Sequence, residues 1–415
     1  MPFTTPGLPP APFGPALETA EARRALSGFF LFGLLMSSLG ALLPLWGYHL
    51  ESNFSTIGNF FLSLSVGLIT AVRVAPALLR KKGIVFGMMF ASALACAGFI
   101  LLALTSASVN PLWKATGLFC IGLSAGVLNA AVFQAISPLY DHDRAATITF
   151  AGTLYGLGCV LTALLAAGTY SVYATSTTLF LFAAIPGCYI GIYSRAKFAR
   201  QPILREIPLR HVLDDFKNPG AILFTLLLFF QFGNEWSVAG WLPLFLIRRL
   251  GISPRAALFT LAFYWASLLV GRVVAQLLLK RISHGVMLMA SILLALFGCI
   301  VLSYTTNRFG ADMGILFIGC GFAPIYPLVV EKIGHRFTYY HPGFYNGIFS
   351  FAFAGGLLGP CLIGYLAEFW EIGIAMLIPL LGTMMVLLLF LLILLEAKLS
   401  GETPVASAGV RRAGA

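Results

Sequence analysis

Hydrophobic residues occur in twelve long runs along the chain, and mostly short polar connectors separate the runs. Each run has the roughly 20 predominantly apolar residues that a helix needs to cross a bilayer. The runs cover approximately 26–48, 55–79, 84–105, 112–137, 146–169, 173–194, 221–247, 256–279, 285–305, 311–331, 343–367 and 372–396. The longest connector is polar, contains Pro202, Pro208 and Pro219, and separates six runs from six. This pattern predicts an all-α membrane protein with twelve transmembrane helices.

Composition supports the membrane assignment and divides the chain into parts. Of the 415 residues, 59% are hydrophobic and 10% are charged, whereas soluble domains have about 45–50% apolar and about 25% charged residues. These proportions exclude both a water-soluble globular fold and a chain that is disordered throughout. We therefore predict a disordered tail at 1–25, a six-helix bundle at 26–195, a linker at 196–220, a second six-helix bundle at 221–397 and a tail at 398–415 that is disordered from about Gly401.

The net charge of +11 raises the question of whether the protein binds nucleic acid. Nineteen of the 26 Lys and Arg residues fall in the tails, the linker and the connectors on one side of the predicted membrane, and five fall on the opposite side. Cytoplasmic loops of membrane proteins carry an excess of Lys and Arg. The charge therefore predicts both termini and the linker in the cytoplasm of a bacterial inner membrane protein. The charge distribution therefore indicates the bilayer as a partner and does not indicate nucleic acid.

Motifs for enzyme chemistry are missing from the sequence. All seven cysteines lie inside apolar runs, without a CxxC pair or a Cys/His cluster, so no metal site is predicted. The stretch Gly122–Gly126 matches the GxSxG pattern of hydrolases, but that motif requires a strand–turn–helix, and here it lies in a predicted span. No phosphate-binding loop is present. We predict that the protein is not an enzyme and that it needs no cofactor.

The two halves of the chain resemble each other. Leu43–Trp46 in span 1 aligns with Leu242–Phe245 in span 7 at an offset of 199, and Arg73 in span 2 aligns with Arg272 in span 8 at the same offset. Further matches between spans 4 and 10 and between spans 5 and 11 follow in the same order. Together these pairs predict a duplication of a six-span unit.

The duplicated twelve-span plan resembles the major facilitator superfamily over essentially all of its spans. Two segments are similar to the fucose-permease-like sugar–proton symporters: Gly233–Leu242, with its Gly-x-Glu and Trp-Leu, and Phe263–Arg281, with aromatic residues, Gly-Arg and a basic loop. The resemblance implies two six-helix bundles related by a pseudo-twofold axis, a central cavity lined by spans 1, 4, 7 and 10, and alternating access. The chain departs from the subgroup because spans 1 and 4 carry no acid.

Glu235 is the single acidic residue near the middle of a predicted span. Ionisable residues in membrane spans are functional candidates by default, and a carboxyl group in a low-dielectric environment takes up a proton more readily than one in water. We predict that Glu235 binds a coupled proton or a cationic group of the substrate. The alternative is a structural acid that pairs with Arg73, Arg272 or a neighbouring polar side chain.

Amide and aromatic residues in the spans form the predicted substrate site. Amides satisfy hydroxyl groups, and aromatic rings stack on flat molecular faces, which suits a polar organic solute. The predicted substrate-binding residues are Asn129, Gln134, Gln231, Asn234, Trp241, Tyr264, Trp265, Tyr326 and Asn346. Packing between helices is the alternative role for each of them.

Two arginines related by the duplication are the candidates for a gate. Arg73 and Arg272 occupy equivalent places near the cytoplasmic ends of spans 2 and 8, and Glu331 lies at the same end of span 10. We predict that these residues close the cytoplasmic side between the halves. The alternative is that the arginines extend along their aliphatic stems to the interface and serve no gate.

The sequence thus predicts a secondary transporter of a small polar organic solute, with a sugar as the first candidate and a proton as the coupling ion. An exporter of amphipathic compounds is an alternative, which the 36 Phe residues would also suit. A receptor or sensor that has kept the fold without transporting is an alternative from another class.

Overall fold

The computed structural model describes residues 15–50, 53–106, 110–142, 144–198, 218–279, 281–337 and 342–399, and it describes the backbone alone at 15–19, 138–142, 144–149, 342–347 and 349. Twelve helices occur within these ranges, and all twelve are long and apolar enough to cross a membrane. They are α1 (Pro15–Leu45), α2 (Phe54–Lys82), α3 (Ile84–Leu104), α4 (Pro111–His142), α5 (Arg144–Thr169), α6 (Thr175–Ser194), α7 (Pro219–Leu250), α8 (Pro254–Leu278), α9 (His284–Tyr304), α10 (Arg308–Arg336), α11 (Pro342–Trp370) and α12 (Ile374–Leu399). The predicted all-α class with twelve spans is confirmed.

One expectation about the N-terminus is wrong. Residues 15–25 belong to α1 and not to a disordered tail. This stretch consists largely of Ala, Leu, Glu and Arg, which are good helix formers, and Arg24 forms an ion pair with Glu21 at 2.7 Å. The helix therefore continues past the end of the apolar run. Most of the predicted linker at 196–220 and the predicted tail at 398–415 lie outside the described residues.

Successive helices run in opposite directions, so the helix ends define two sides of the protein. We call the side with the start of α1 and the end of α12 the terminal side. The side with the end of α1 and the start of α2 is the far side. On the far side, Thr175 at the start of α6 donates a hydrogen bond to the Leu45 carbonyl at the end of α1 (2.8 Å). On the terminal side, Arg336 of α10 donates to Glu396 of α12 (2.7 Å).

The same packing pattern occurs in both halves. In the first half α2 packs on α4, α3 packs on α4 and α6, and α1 packs on α5; in the second half α8 packs on α10, α9 packs on α10 and α12, and α7 packs on α11. Small residues allow equivalent close approaches, since Gly98 meets Gly117 between α3 and α4 and Gly298 meets Gly314 between α9 and α10. The structure therefore agrees with a duplicated six-helix unit.

The two halves meet mainly through three helix pairs, which are α1 with α7, α2 with α11 and α5 with α8, and α1 also makes a smaller contact with α8. In the duplicated plan, α2 corresponds to α8 and α5 corresponds to α11. The α2–α11 pair is therefore the symmetry equivalent of the α8–α5 pair. The contacts between the halves therefore obey the same pseudo-twofold symmetry as the halves themselves. A site shared by both halves would lie near the axis of that symmetry.

Candidate functional site

Helices α2 and α11 close the far side of this surface. The Ser55 backbone N–H, at the start of α2, donates to the Glu368 carboxylate of α11 (3.0 Å), where the positive end of the α2 dipole also favours an anion. One turn away, an ideal β-carbon placed on Gly364 would lie 2.5 Å from the Gly58 Cα, so the two backbones are in direct contact. Charge and close packing together hold the halves shut here.

Helices α1 and α7 extend the closure. Gly40 of α1 packs directly on the Ala239 carbonyl of α7, and Arg248 at the end of α7 donates to the His49 carbonyl (3.3 Å). His49 follows the first span, and its pKa is lowered by burial in the first place and also by the positive charge of Arg248. The neutral form of the His49 ring is therefore favoured, which reduces its repulsion of that arginine.

Trp241 belongs to this closed region. Its ring stacks on Phe61 of α2 with ring centres 5.9 Å apart, and its indole N–H donates to the Pro360 carbonyl of α11 (2.8 Å). In this closed state the indole N–H of Trp241 is hydrogen-bonded within the protein, and one face of its ring packs against another side chain. Its predicted contact with substrate stays a prediction.

Below the closed region a cavity of about 30 Å³ lies between the halves, near the middle of the helices that line it. That volume suffices for a water molecule or two. Six helices contribute to its wall, three from each half. The lining residues are Met36, Ser37, Gly40, Phe61, Leu64, Ser65, Tyr155, Trp236, Ala239, Gly240, Trp265, Gly356, Leu357 and Pro360. The wall is uncharged and combines aliphatic residues with four aromatic rings, and its polar side-chain groups are three hydroxyl groups and two indole N–H groups.

Trp265 is the predicted substrate residue that the structure brings to this cavity. It is only 3% exposed, and its indole N–H has no hydrogen-bond partner within the described ranges. Leaving a buried donor unpaired costs about 1–3 kcal/mol. The Tyr155 ring of α5 meets it edge-on at 6.3 Å, so a donor and two aromatic groups from opposite halves share one wall.

Glu235 precedes the lining residue Trp236 on α7 and is 6% exposed. Its carboxylate attracts Arg272 of α8 and lies near the Tyr155 hydroxyl of α5. The Tyr264 hydroxyl donates to the backbone carbonyl of Glu235 (3.1 Å), which ties α8 to α7 at this level. Tyr264 thus has a contact inside the second half, and its predicted role in substrate binding is untested.

Arg272 connects the site to the other half. Its guanidinium donates to the Gly152 carbonyl of α5 at 2.9 Å, one turn from Tyr155. The same side chain attracts the Glu235 carboxylate. A change in the charge of Glu235 therefore changes the electrostatic energy of a residue that bridges the two halves.

The amides predicted on α7 have other neighbours. Asn234 donates to the Thr383 hydroxyl of α12 at 3.3 Å, inside the second half. Gln231 is fully buried on the same helix, and neither of its amide atoms has a partner within the described residues. Both are absent from the cavity wall. At the level of Asn234, the helical face that carries both amides points toward α12 and away from the first half.

Three of the remaining predicted substrate residues are absent from the cavity wall. Asn129 and Gln134 are half-buried on α4, and Tyr326 is half-buried on α10, where its ring packs against Phe232 at 5.2 Å. The side chain of Asn346 lies outside the description. For these residues, substrate binding remains a prediction.

The predicted gate residues differ in their surroundings. Arg73 is exposed, and its side chain makes no ion pair or hydrogen bond with the residues that the structure describes. Glu331 is bonded to His284 (3.0 Å) and lies 3.7 Å from His335, all within the second half. Arg272 is the member of the set that reaches the opposite half.

Sequence reasoning missed several residues of the wall, in particular Ser37, Ser65, Tyr155 and Trp236. The two serines look like ordinary packing residues of a membrane helix. Tyr155 lies on α5, a span without acids or amides nearby to mark it. Trp236 directly follows Glu235, and this adjacency was the one feature of the sequence that could have marked a residue of the wall.

This arrangement of two repeated six-helix bundles around a midplane cavity is that of secondary transporters. The family model of the Major Facilitator Superfamily matches residues 3–163 and 139–356. The chain belongs to the major facilitator superfamily and is a membrane transporter.

Known proteins extend the comparison. The glucose/mannose transporter GlcP of Bacillus subtilis is 21% identical over 352 residues, which are 81% of this chain and 85% of that protein. Among solved structures, the nucleoside transporter NupG (D323A mutant) matches with a TM-score of 0.71 and 13% identity over 91% of this chain and 99% of that one. The fucose:proton symporter FucP of E. coli matches with a TM-score of 0.59 and 15% identity over 90% and 98%. These structural matches show the shared fold, and they confirm the resemblance to FucP.

Proposed function

We propose that this transporter moves a neutral, polar solute of the sugar class by alternating access, and that a proton taken up by Glu235 drives the movement. The observation that carries the proposal is the aromatic midplane cavity with the unpaired Trp265 N–H, next to a buried acid. The cavity of this closed state is too small for a pyranose, so the sugar enters it when the halves lie further apart. There a pyranose offers apolar C–H faces to Trp236 and Trp265 and an oxygen acceptor to the indole N–H. Supporting it, GlcP is named a glucose/mannose transporter and FucP a fucose:proton symporter.

The coupling step follows from the position of Arg272. With Glu235 charged, its carboxylate attracts Arg272, while the Arg272 guanidinium donates to the Gly152 carbonyl of α5. Protonation removes the negative charge, and Arg272 then favours the carbonyl of the opposite half. We infer that the proton thereby strengthens contact between the halves near the terminal side. The excess of Lys and Arg supports a cytoplasmic terminal side in a bacterial inner membrane.

The proposal is tested with purified protein in liposomes that contain an internal pH dye. Neutral hexoses and pentoses are expected to cause proton movement, whereas amino sugars, organic acids and amphipathic drugs are not. Nucleosides belong in the same panel because NupG is a nucleoside transporter. If no sugar moves protons and a nucleoside or a drug does, the substrate class is wrong.

Trp265→Phe should weaken sugar transport in that assay by raising KM about tenfold, since a neutral hydrogen bond contributes about 1 kcal/mol and burial adds to it. The matched control is Trp113→Phe, because Trp113 is an exposed residue at the start of α4. An unchanged KM in Trp265→Phe would contradict the assignment of this donor to the substrate.

Arg272→Gln should slow solute exchange about tenfold, because hydrogen bonds from charged groups contribute about 1.5–3 kcal/mol. The sequence supplies the control: Arg73→Gln removes the equivalent arginine of the other half, which is exposed. Counterflow of labelled solute without a pH gradient measures both. Equal losses of exchange in the two variants would contradict the proposal that Arg272, and not Arg73, links the two halves.

A further inference from the structure

A second cavity lies on the outside of the molecule, where α8 and α10 begin on the far side. It measures about 210 Å³, far more than one water molecule requires. Its wall consists of two aromatic, one hydroxyl and two charged residues: Phe259, Thr260, Phe263, Arg308 and Asp312. We call these five residues the interface groove.

The apolar side of the interface groove faces the membrane. Phe259 and Phe263 are 42% and 38% exposed, and an exposed apolar stripe continues along the same face of α8 through Val270, Val274 and Leu277. A continuous exposed stripe on a transmembrane helix contacts acyl chains. The two phenylalanines, on the second and third turns of α8, therefore lie between this apolar stripe and the charged residues at the start of the helix.

The polar side of the groove carries charges of both signs. The Arg308 guanidinium lies 3.6 Å from the Asp312 carboxylate, and the Thr260 hydroxyl donates to that carboxylate at 3.5 Å. Arg255, on the first turn of α8, lies over the Phe259 ring with its guanidinium carbon 5.9 Å from the ring centre. Two cations and one anion thus surround the mouth of a groove that opens to lipid.

We propose that the interface groove binds a phospholipid with a phosphoethanolamine head group. Arginine binds phosphate through its fork of N–H donors, so Arg308 and Arg255 hold the phosphate. The primary ammonium group donates to Asp312, and an acyl chain packs along Phe259 and Phe263. A choline head group has no N–H to donate to Asp312, and a glycerol head group brings hydroxyl groups but no ammonium group to that carboxylate.

The test measures which lipid the purified full-length protein retains. The protein is released in native mass spectrometry from micelles with equal amounts of dioleoyl phosphatidylethanolamine, phosphatidylcholine and phosphatidylglycerol. Preferential retention of the ethanolamine lipid is expected. Asp312→Asn should reduce this retention about tenfold, toward that of the choline lipid, since a charged hydrogen bond is lost. The matched control is Arg249→Gln, an exposed far-side residue outside the groove.

Arg308→Gln provides an independent variant, and it should reduce retention of all three lipids because each has a phosphate. Size-exclusion profiles identify any variant that does not fold. Equal retention of the ethanolamine and choline lipids by the unmodified protein would overturn the proposal. So would an Asp312→Asn variant that folds and keeps the full preference.

Discussion

Glu235→Gln is expected to abolish proton-driven accumulation of the solute while solute exchange continues. Glutamine has the size of glutamic acid and cannot take up the proton, so the pH gradient no longer biases the transport cycle. A symporter that moves one proton accumulates its solute up to about tenfold per pH unit, and the variant should reach no accumulation. Solute uptake into liposomes with an imposed pH gradient measures this, and counterflow without a gradient measures exchange.

The control for this prediction is Glu371→Gln, which removes an exposed acid outside the spans. Undiminished accumulation in Glu235→Gln would contradict proton binding at this residue. Loss of exchange together with accumulation would favour the alternative, in which Glu235 is a structural acid paired with Arg272. The two measurements together therefore distinguish a proton site from a structural ion pair.

Gly364→Ala is expected to prevent closure of the far side and to reduce transport by about tenfold or more. The added methyl group would lie 2.5 Å from the Gly58 Cα and 2.6 Å from its nitrogen, so α11 must move away from α2. Overpacking of this kind costs about 1–3 kcal/mol, and the cost falls on the closed state alone. Two backbones meet here, and no side chain can rotate to relieve the clash.

Cys361, which is buried beside this contact on α11, reports the opening directly. Its labelling by a membrane-impermeant thiol reagent should increase in Gly364→Ala, as located by mass spectrometry of the peptides. Gly168→Ala is the matched control, since a β-carbon there meets nothing within 4 Å. Gly58→Ala should have a milder effect, because its nearest contact would be 3.0 Å. A Gly364→Ala protein with normal transport and a protected Cys361 would contradict this role.

The candidate site could be predicted only in part because helical periodicity shows which residues share a face and does not show the neighbour of that face. Asn234 and Glu235 are adjacent, and successive residues of a helix point about 100° apart. The Asn234 amide consequently donates to the Thr383 hydroxyl of α12, while the Glu235 carboxylate attracts Arg272. The equivalence of Arg73 and Arg272 in sequence did not extend to their contacts for the same reason.

The sequence by itself determined the twelve helices, the repeat of six and the membrane environment of this protein. These features depend on the length, composition and order of the apolar runs, which are properties of the chain alone. Tertiary structure decided which side chains meet between the halves: Trp265 with Tyr155, Arg272 with Gly152, and Gly364 with Gly58. Those contacts join residues that are far apart in the chain, and their geometry depends on how whole helices pack, which no local pattern encodes.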